Sequence, residues 1–506
     1  MAAEEAEKGA KPEAAPAQPP QPVPEPVSFG RDFSGVFNGK VVDYRAVAGE
    51  TYIRDEKGAP IGSFFTVAYL RQGVDDPAER PVAFAFNGGP GSSAQWVQMG
   101  AFGPKRVSLP DRADNVGAPP YPIVDNQMSI LDVCDLVFVD PIGTGYSCAI
   151  GGKENKEFWG VMEDARSVAD FIQAWITDNG RWNSPKYLIG ESYATTRVSL
   201  VAEILSTRYI LFNGIVLISA VLDYQNSRPR NGDGAILAYA SFLPTYAAIA
   251  AYHGKVDLEG RSLASFVDEV RLFARTDYAL GLIANNRLTR AERAKVVAKT
   301  ASYTGLSETY VERSELRIPV GRFFKELLRD RGLVIGRLDG RYTGVEPESA
   351  GETAESDPAF DAIGGAFTSA MNEQLRAIGV RIDRTYMPLK TIDSWNWLTE
   401  TKAPSGGGYV NVVPYLGRAM RHNKDLRVLV VSGYYDLATP FFGAENALSQ
   451  DGLAHDRIAF TYYEVGHMIF VHEPSRVLLL DDVRRFVAGA APRSPVAPVA
   501  SKILVG

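Results

Sequence analysis

The chain has 506 residues, 45% hydrophobic, 10% aromatic and 22% charged, a composition that excludes a wholly disordered or fibrous protein. With 53 Lys and Arg against 60 Asp and Glu, the net charge of −7 offers no basic surface, so no nucleic-acid partner is expected. Two cysteines, Cys134 and Cys148, cannot staple a chain of this length and do not make a metal cluster.

The first 28 residues hold seven Pro, seven Ala and five Glu with no aromatic residue before Phe29. Such a segment buries too little apolar surface to offset its ordering entropy, so residues 1–28 read as a disordered leader. A Pro/Ala/Glu spacer ahead of a folded enzyme suits an exported (periplasmic or secreted) protein whose signal peptide has been removed; a cytoplasmic protein is the alternative. Lys40–Arg45, Thr51–Arg54 and Ser63–Leu70 read as antiparallel strands at a sheet edge. Short apolar runs then follow at Val82–Phe86, Leu136–Val139, Tyr187–Ile189, Ile215–Ser219, Val428–Val431 and Ile458–Tyr462. Continuous rather than alternating hydrophobicity marks strands buried on both faces, as a parallel sheet requires. Helical patterns lie between them, as in Asp164–Ile176, where Val168, Phe171, Ile172 and Trp175 share one face.

The uncharged stretch Gly234–Tyr252 is long enough to raise the question of a membrane span. It is rich in Ala, carries Pro244 and three Tyr, and is expected to form one buried helix or two broken at Pro244. From Asp223 to Ser394 the strand–helix rhythm gives way to helices. These include a stripe of Leu263, Phe266, Val270 and Phe273 and a capping box at Thr289–Glu292. The expected architecture is a doubly wound α/β fold, a mostly parallel central sheet with helices on both faces and a largely helical cap insertion. Residues 29–222 and 395–490 form the core, 223–394 the cap, and 491–506 a disordered tail.

Gly190-Glu191-Ser192-Tyr193-Ala194 follows the run Tyr187–Ile189 directly. Small residues on both sides of Ser192 let a strand turn sharply into a helix, exposing the hydroxyl as a nucleophile above the sheet; the alternative is a serine that caps the helix. His467 stands in a turn after the last apolar strand, and Asp436 just past the end of Val428–Val431. The order Ser192, Asp436, His467 is the one that α/β-hydrolases use for nucleophile, orienting acid and base. Asn87–Ser93 follows Val82–Phe86, and its glycines allow backbone N–H groups to approach a developing oxyanion; a tight structural turn is the other reading.

Together Asn87–Ser93, Asp140–Ser147, Gly190–Ala194, Gly433–Asp436 and Gly466–Met468 resemble the serine carboxypeptidase family of α/β-hydrolases, over roughly Phe29 to Val487. The insertion, at Phe242–Ala247 and Gly336–Gly340, looks like that of bacterial members. The resemblance implies Ser192 as nucleophile, His467 as general base and then acid, Asp436 as its orienting carboxylate, and the N–H groups of Gly89 and Tyr193 as the oxyanion hole. It also implies that Asn87 and Glu191, with Gly88 and Met468 beside them, bind the substrate's terminal carboxylate. An ionised Glu191 would repel that group, so it must be protonated there. The family commonly has a second Glu where this chain has Ala101, and many members have Cys at Ser92. Without the second carboxylate, burial and hydrogen bonding must raise the Glu191 pKa alone, and a less acidic optimum or poorer recognition of a free C-terminus is expected.

Arg197 either supplies a cation near the site or is a helix-surface or structural ion-pair residue. Trp96 and Tyr146 either line the substrate cleft or pack, and Asp140 fixes its loop. His472 is expected to be exposed on the approach to the last helix, and His253, His422 and His455 belong to no ligand pattern, so neither metal nor cofactor is expected. The expected activity is hydrolysis of C-terminal peptide bonds through an acyl-enzyme on Ser192, by a monomer or homodimer acting on peptides with a free C-terminus and lacking a membrane span. An esterase or acyltransferase with the same triad, and a catalytically silent peptide-binding scaffold, are the alternatives.

Overall fold

A computed structural model describes residues 23–228, 235–399, 409–450 and 452–493. Among the described residues the central sheet has ten strands, nine of them on its main path: β1 (Ser28–Phe37), β2 (Lys40–Arg54), β3 (Pro60–Arg71), β4 (Val82–Phe86), β5 (Asp135–Val139), β6 (Lys186–Glu191), β7 (Gly214–Ile218), β8 (Arg427–Gly433) and β9 (Ile458–Tyr463). Their order is β1-β2-β3-β5-β4-β6-β7-β8-β9, and the short strand Cys148–Ala149 also pairs with β3. The first three strands and the β3–β5 pairing are antiparallel; β5, β4, β6, β7, β8 and β9 run parallel.

Each apolar run expected as a parallel strand is one, because both of its faces are covered. In β4, Val82, Phe84 and Phe86 enter the layer containing α1 (Val161–Asp178) and α2 (Tyr193–Thr207), whereas Ala83 and Ala85 enter the opposite layer. Two differences lie at the edge. Lys40–Arg45 and Thr51–Arg54 are parts of the single strand β2, whose Gly49 stays in register opposite Thr66. The segment assigned to a leader ends in structure: Ser28 opens β1, Pro24 O accepts a hydrogen bond from the Tyr52 hydroxyl, and Val27 N–H donates to Glu50. Ladder pairing with β2 supplies the order that composition alone does not. Residues 1–22 of that segment and 494–506 of the expected tail lie outside the described residues.

The insertion contains α3 (Ile236–Tyr252), α4 (Leu263–Phe273), α5 (Ala279–Ala284), α6 (Arg290–Thr304), α7 (Glu308–Arg313) and α8 (Val320–Glu326), which share a core of their own. Helix α3 runs unbroken through Pro244, because burial around most of its circumference holds the turn that lost a donor. Among the described residues, no helix is long and apolar enough to cross a membrane. The capping box opens α6: Thr289 Oγ1 accepts from Glu292 N–H, and the Glu292 carboxylate accepts from Thr289 N–H. The next helix, α9 (Pro358–Ile378), leaves this cluster and packs Phe367, Met371 and Leu375 into the sheet's own core. After it come α10 (Val413–His422), α11 (Phe441–Leu448) and α12 (Glu473–Val487).

Candidate active site

The parallel strands β4, β6, β8 and β9 deliver one loop each to the same end of the sheet, the crevice position of open α/β folds. Ser192 sits between β6 and α2 with φ 61° and ψ −131°, a strained backbone that only surrounding structure can hold. Its N–H donates to Ile218 O at 2.9 Å, and its carbonyl accepts from Thr195 N–H at 2.9 Å, so the turn is pinned on both sides. The side chain is half-buried and faces a cleft of ≈ 300 Å³.

His467, buried, lines the same cleft, and its Nδ1 lies 2.7 Å from Asp436 Oδ2. Asp436 Oδ1 accepts from the N–H groups of Ala438 and Thr439 at 2.8 and 2.9 Å, while the Thr439 hydroxyl donates to Oδ2 at 2.7 Å. A carboxylate held this way can only present one face to the imidazole. The His467 loop is fixed in turn: its N–H donates to Leu338 O at 2.6 Å, and its carbonyl accepts from Ser219 Oγ at 2.6 Å. Gly433 is required where the Asp436 and His467 loops meet, since a Cβ there would come within 2.1 Å of Gly466 O. Burial opposes the imidazolium, but the Asp436 charge and hydrogen bond outweigh it, holding the His467 pKa above its ordinary value.

The loop after β4 presses against the elbow: a Cβ on Gly88 would lie 2.4 Å from Tyr193 N, so only glycine allows the approach. Neither Gly89 N–H nor Tyr193 N–H has a hydrogen-bond partner among the described residues. Asn87 Oδ1 accepts from Val97 N–H at 3.0 Å, and its Nδ2 donates to Glu191 Oε2. Glu191 Oε1 is buried without a partner; burial, helped by the Asp436 charge, pushes the pKa up to about 7, while the His467 charge and the hydrogen bond from Asn87 act against the rise. At Ala101, also buried, there is no carboxylate to add to that rise.

Of the residues singled out from sequence, Asn87, Gly88, Gly89, Glu191, Ser192, His467, Met468 and Trp96 line one cleft, with Tyr193 N beside Gly88 and Asp436 behind His467. Tyr146 instead packs against Phe65 and Tyr386. Asp140 fixes its loop, accepting from Ala94 N–H and Tyr386 Oη, and burial pushes its pKa to about 7. Arg197 is the structural ion pair, with Nε 2.7 Å from Asp164 Oδ2. His472 is half-buried rather than exposed, because its Nδ1, 2.8 Å from Ser475 Oγ, is drawn onto the start of α12. Both cysteines are unpaired. Among the described residues, no three or more His, Cys, Asp and Glu side chains gather for a metal ion.

Sequence reasoning missed Thr439, although a hydroxyl three residues after a loop Asp is a readable signal. It also missed Asp357, Phe360 and Leu389, which reach the cleft from the insertion without any local pattern, and the place in the cleft of Arg337, which lies within the Gly336–Gly340 stretch.

The strand order and the sharp turn between β6 and α2 define the α/β-hydrolase fold. The sequence model of the serine carboxypeptidase family matches residues 49–250. Serine carboxypeptidase-like 8 of Arabidopsis thaliana is 28% identical over 145 residues, 28% of this chain and 32% of that protein. Serine carboxypeptidase-like 45 of the same plant is 28% identical over 195 residues, 36% of this chain and 38% of that protein. The chain thus spans about a third of the length of these curated relatives. The crystal structure of Kex1(delta)p, a prohormone-processing carboxypeptidase from Saccharomyces cerevisiae, superimposes with a TM-score of 0.53 at 13% identity, covering 88% of this chain and 91% of that one. Over residues 49–250 the chain is similar to the serine carboxypeptidase family. Asp436 and His467 lie beyond that stretch.

Proposed function

We propose that the protein is a serine carboxypeptidase that removes C-terminal residues from peptides through an acyl-enzyme. Ser192 Oγ attacks the scissile carbonyl while His467 takes its proton, and Asp436 holds the imidazole and stabilises its cation. The Gly89 and Tyr193 N–H groups, unpaired in the resting protein, receive the oxyanion that forms. The imidazolium then protonates the leaving amine, and water releases the acyl group by the same steps in reverse.

The observation that carries the choice of a peptide acid is Glu191. A buried carboxyl with an unpartnered Oε1 and a pKa near 7 is neutral over much of the acid range. In that state it donates to the substrate's terminal carboxylate, with Asn87 Nδ2 as the companion donor. Trp96, Met468 and Gly88 complete the wall around the leaving residue. Export is part of the same reading and draws on the Pro/Ala/Glu-rich composition of residues 1–28.

The test uses matched substrates: one blocked dipeptide as free acid, as amide and as ethyl ester, after stoichiometric labelling by a fluorophosphonate has counted the reactive serine. A carboxypeptidase cleaves the acid with kcat/KM at least tenfold above the amide near pH 6. Equal rates on acid and amide, or turnover of the ester alone, would replace this reading with an esterase or acyltransferase. Absence of labelling would replace it with a silent scaffold.

A further inference from the structure

The cleft around Ser192 and His467 contains a cation that the acyl-transfer scheme does not use. Its walls are otherwise largely apolar, built by Trp96, Leu338, Phe360 and Leu389, and Arg337 lines it with them. The backbone of Arg337 is tethered on both sides: its N–H donates to Asp357 Oδ1 at 3.0 Å, and its carbonyl accepts from Leu437 N–H at 3.1 Å. The next carbonyl, of Leu338, holds His467 N–H. The side chain therefore springs from a point locked to the loops that carry Asp436 and His467.

Its guanidinium is exposed and has neither a hydrogen bond nor an ion pair among the described residues. Burial raises the pKa of Asp357, the acidic group beside it in the cleft, and the Arg337 charge is near enough to pull against that rise. Asp357 nonetheless makes no ion pair with the guanidinium: its oxygens accept from the backbone N–H groups of Arg337, Leu338 and Ala359 and cap α9. Glu191 faces Asn87 on the elbow side. A planar guanidinium with free donors matches a carboxylate two bonds at a time, and a weakly hydrated cation on a fixed stem loses little on pairing.

We propose that Arg337 is a specificity residue selecting peptides with an Asp or Glu side chain next to the scissile bond. The inference rests on the carboxypeptidase reading above, in which the terminal carboxylate already has its donors in Asn87 and Glu191. The cation on the cap side is then left for a second anion.

The experiment compares blocked peptides differing only in Glu against Gln, placed in turn at each residue flanking the scissile bond. The wild type, Arg337→Gln and Arg337→Glu are assayed at low salt. The quantity read is the Glu/Gln ratio of kcat/KM for each enzyme, so losses common to both peptides cancel. At one of the two positions the wild type favours Glu by about fivefold, the size of a partly solvated ion pair. The ratio falls to about one in Arg337→Gln, inverts in Arg337→Glu, and shrinks in the wild type as salt screens the pair. A wild type without preference at both positions, or one ratio shared by all three enzymes, overturns the inference and leaves the carboxypeptidase reading intact. Failure of the wild type to cleave any of the peptides overturns both.

Discussion

Arg197 offers the sharpest mutational test of how the elbow is supported. It lies on α2 five residues past Ser192, is 1% exposed, and sits over the rings of Phe86 and Tyr193 at 5.8 and 5.2 Å from their centroids. Its Nε is 2.7 Å from Asp164 Oδ2 on α1, and its Nη1 donates to Asn87 O at 2.8 Å. One guanidinium thus joins α1, α2 and the loop after β4. Replacement by Met leaves the buried Asp164 carboxylate without a counter-charge and the Asn87 carbonyl without this donor. Breaking a buried pair from one side costs about 3–5 kcal/mol, and an orphaned buried acceptor about 1–3 kcal/mol more. Relaxation around the smaller side chain offsets part of the sum, so Arg197→Met should lose about 4 kcal/mol in urea unfolding followed by tryptophan fluorescence.

The loss should depend on pH with a definite sign. Burial already raises the Asp164 pKa, and Arg197 pulls it down. Without the guanidinium the folded-state pKa climbs further, so the native variant holds a proton that the unfolded chain has released. Stability of the variant then falls as pH rises from the unfolded value through the raised one, and the cost is greater at pH 8 than at pH 5. A second change, Asp164→Leu, removes the stranded charge and should recover about 3 kcal/mol of the loss. A cost below about 1 kcal/mol, an equal cost at both pH values, or no recovery in the double variant would refute the reasoning.

Ser192→Ala should lower kcat by about 10⁶ and Asp436→Asn by about 10⁴, with the folded state retained by circular dichroism; a tenfold loss in either case would remove that residue from the machinery. The pH profile follows from two groups. Catalysis needs neutral His467, whose pKa is raised, and binding of a peptide acid needs protonated Glu191, with a pKa of about 7. For peptide acids kcat/KM should therefore be bell-shaped around neutrality, falling above about pH 7, whereas esters of the same peptides lack the alkaline limb. Glu191→Gln should abolish that limb. A peptide-acid optimum at about pH 4–5 would show that Glu191 is not the group being titrated.

Much of the fold was legible because two-sided burial writes a parallel strand as an unbroken apolar run. In β7, Ile215 and Leu217 serve one layer while Val216 and Ile218 serve the other, and the sequence carries both demands at once. Local sterics also made Gly190–Ala194 readable as a strand-to-helix turn, and the loop tips holding Asn87, Ser192, Asp436 and His467 follow directly from the strands that carry them. What sequence did not disclose was set by pairing and burial between distant segments. β1 and the continuity of β2 depend on a partner strand, since the amphipathic pattern of an edge is weak until something pairs with it. The raised pKa of Glu191 depends first on the removal of water and then on the Asp436 charge, which the fold brings near in place of a second carboxylate at Ala101. Asp357, Phe360 and Leu389 form no pattern along the chain, and the Gly336–Gly340 stretch does not say that its Arg337 reaches the cleft. They become neighbours of Ser192 only when the insertion and α9 dock on the sheet, because a cleft wall is a product of packing rather than of periodicity.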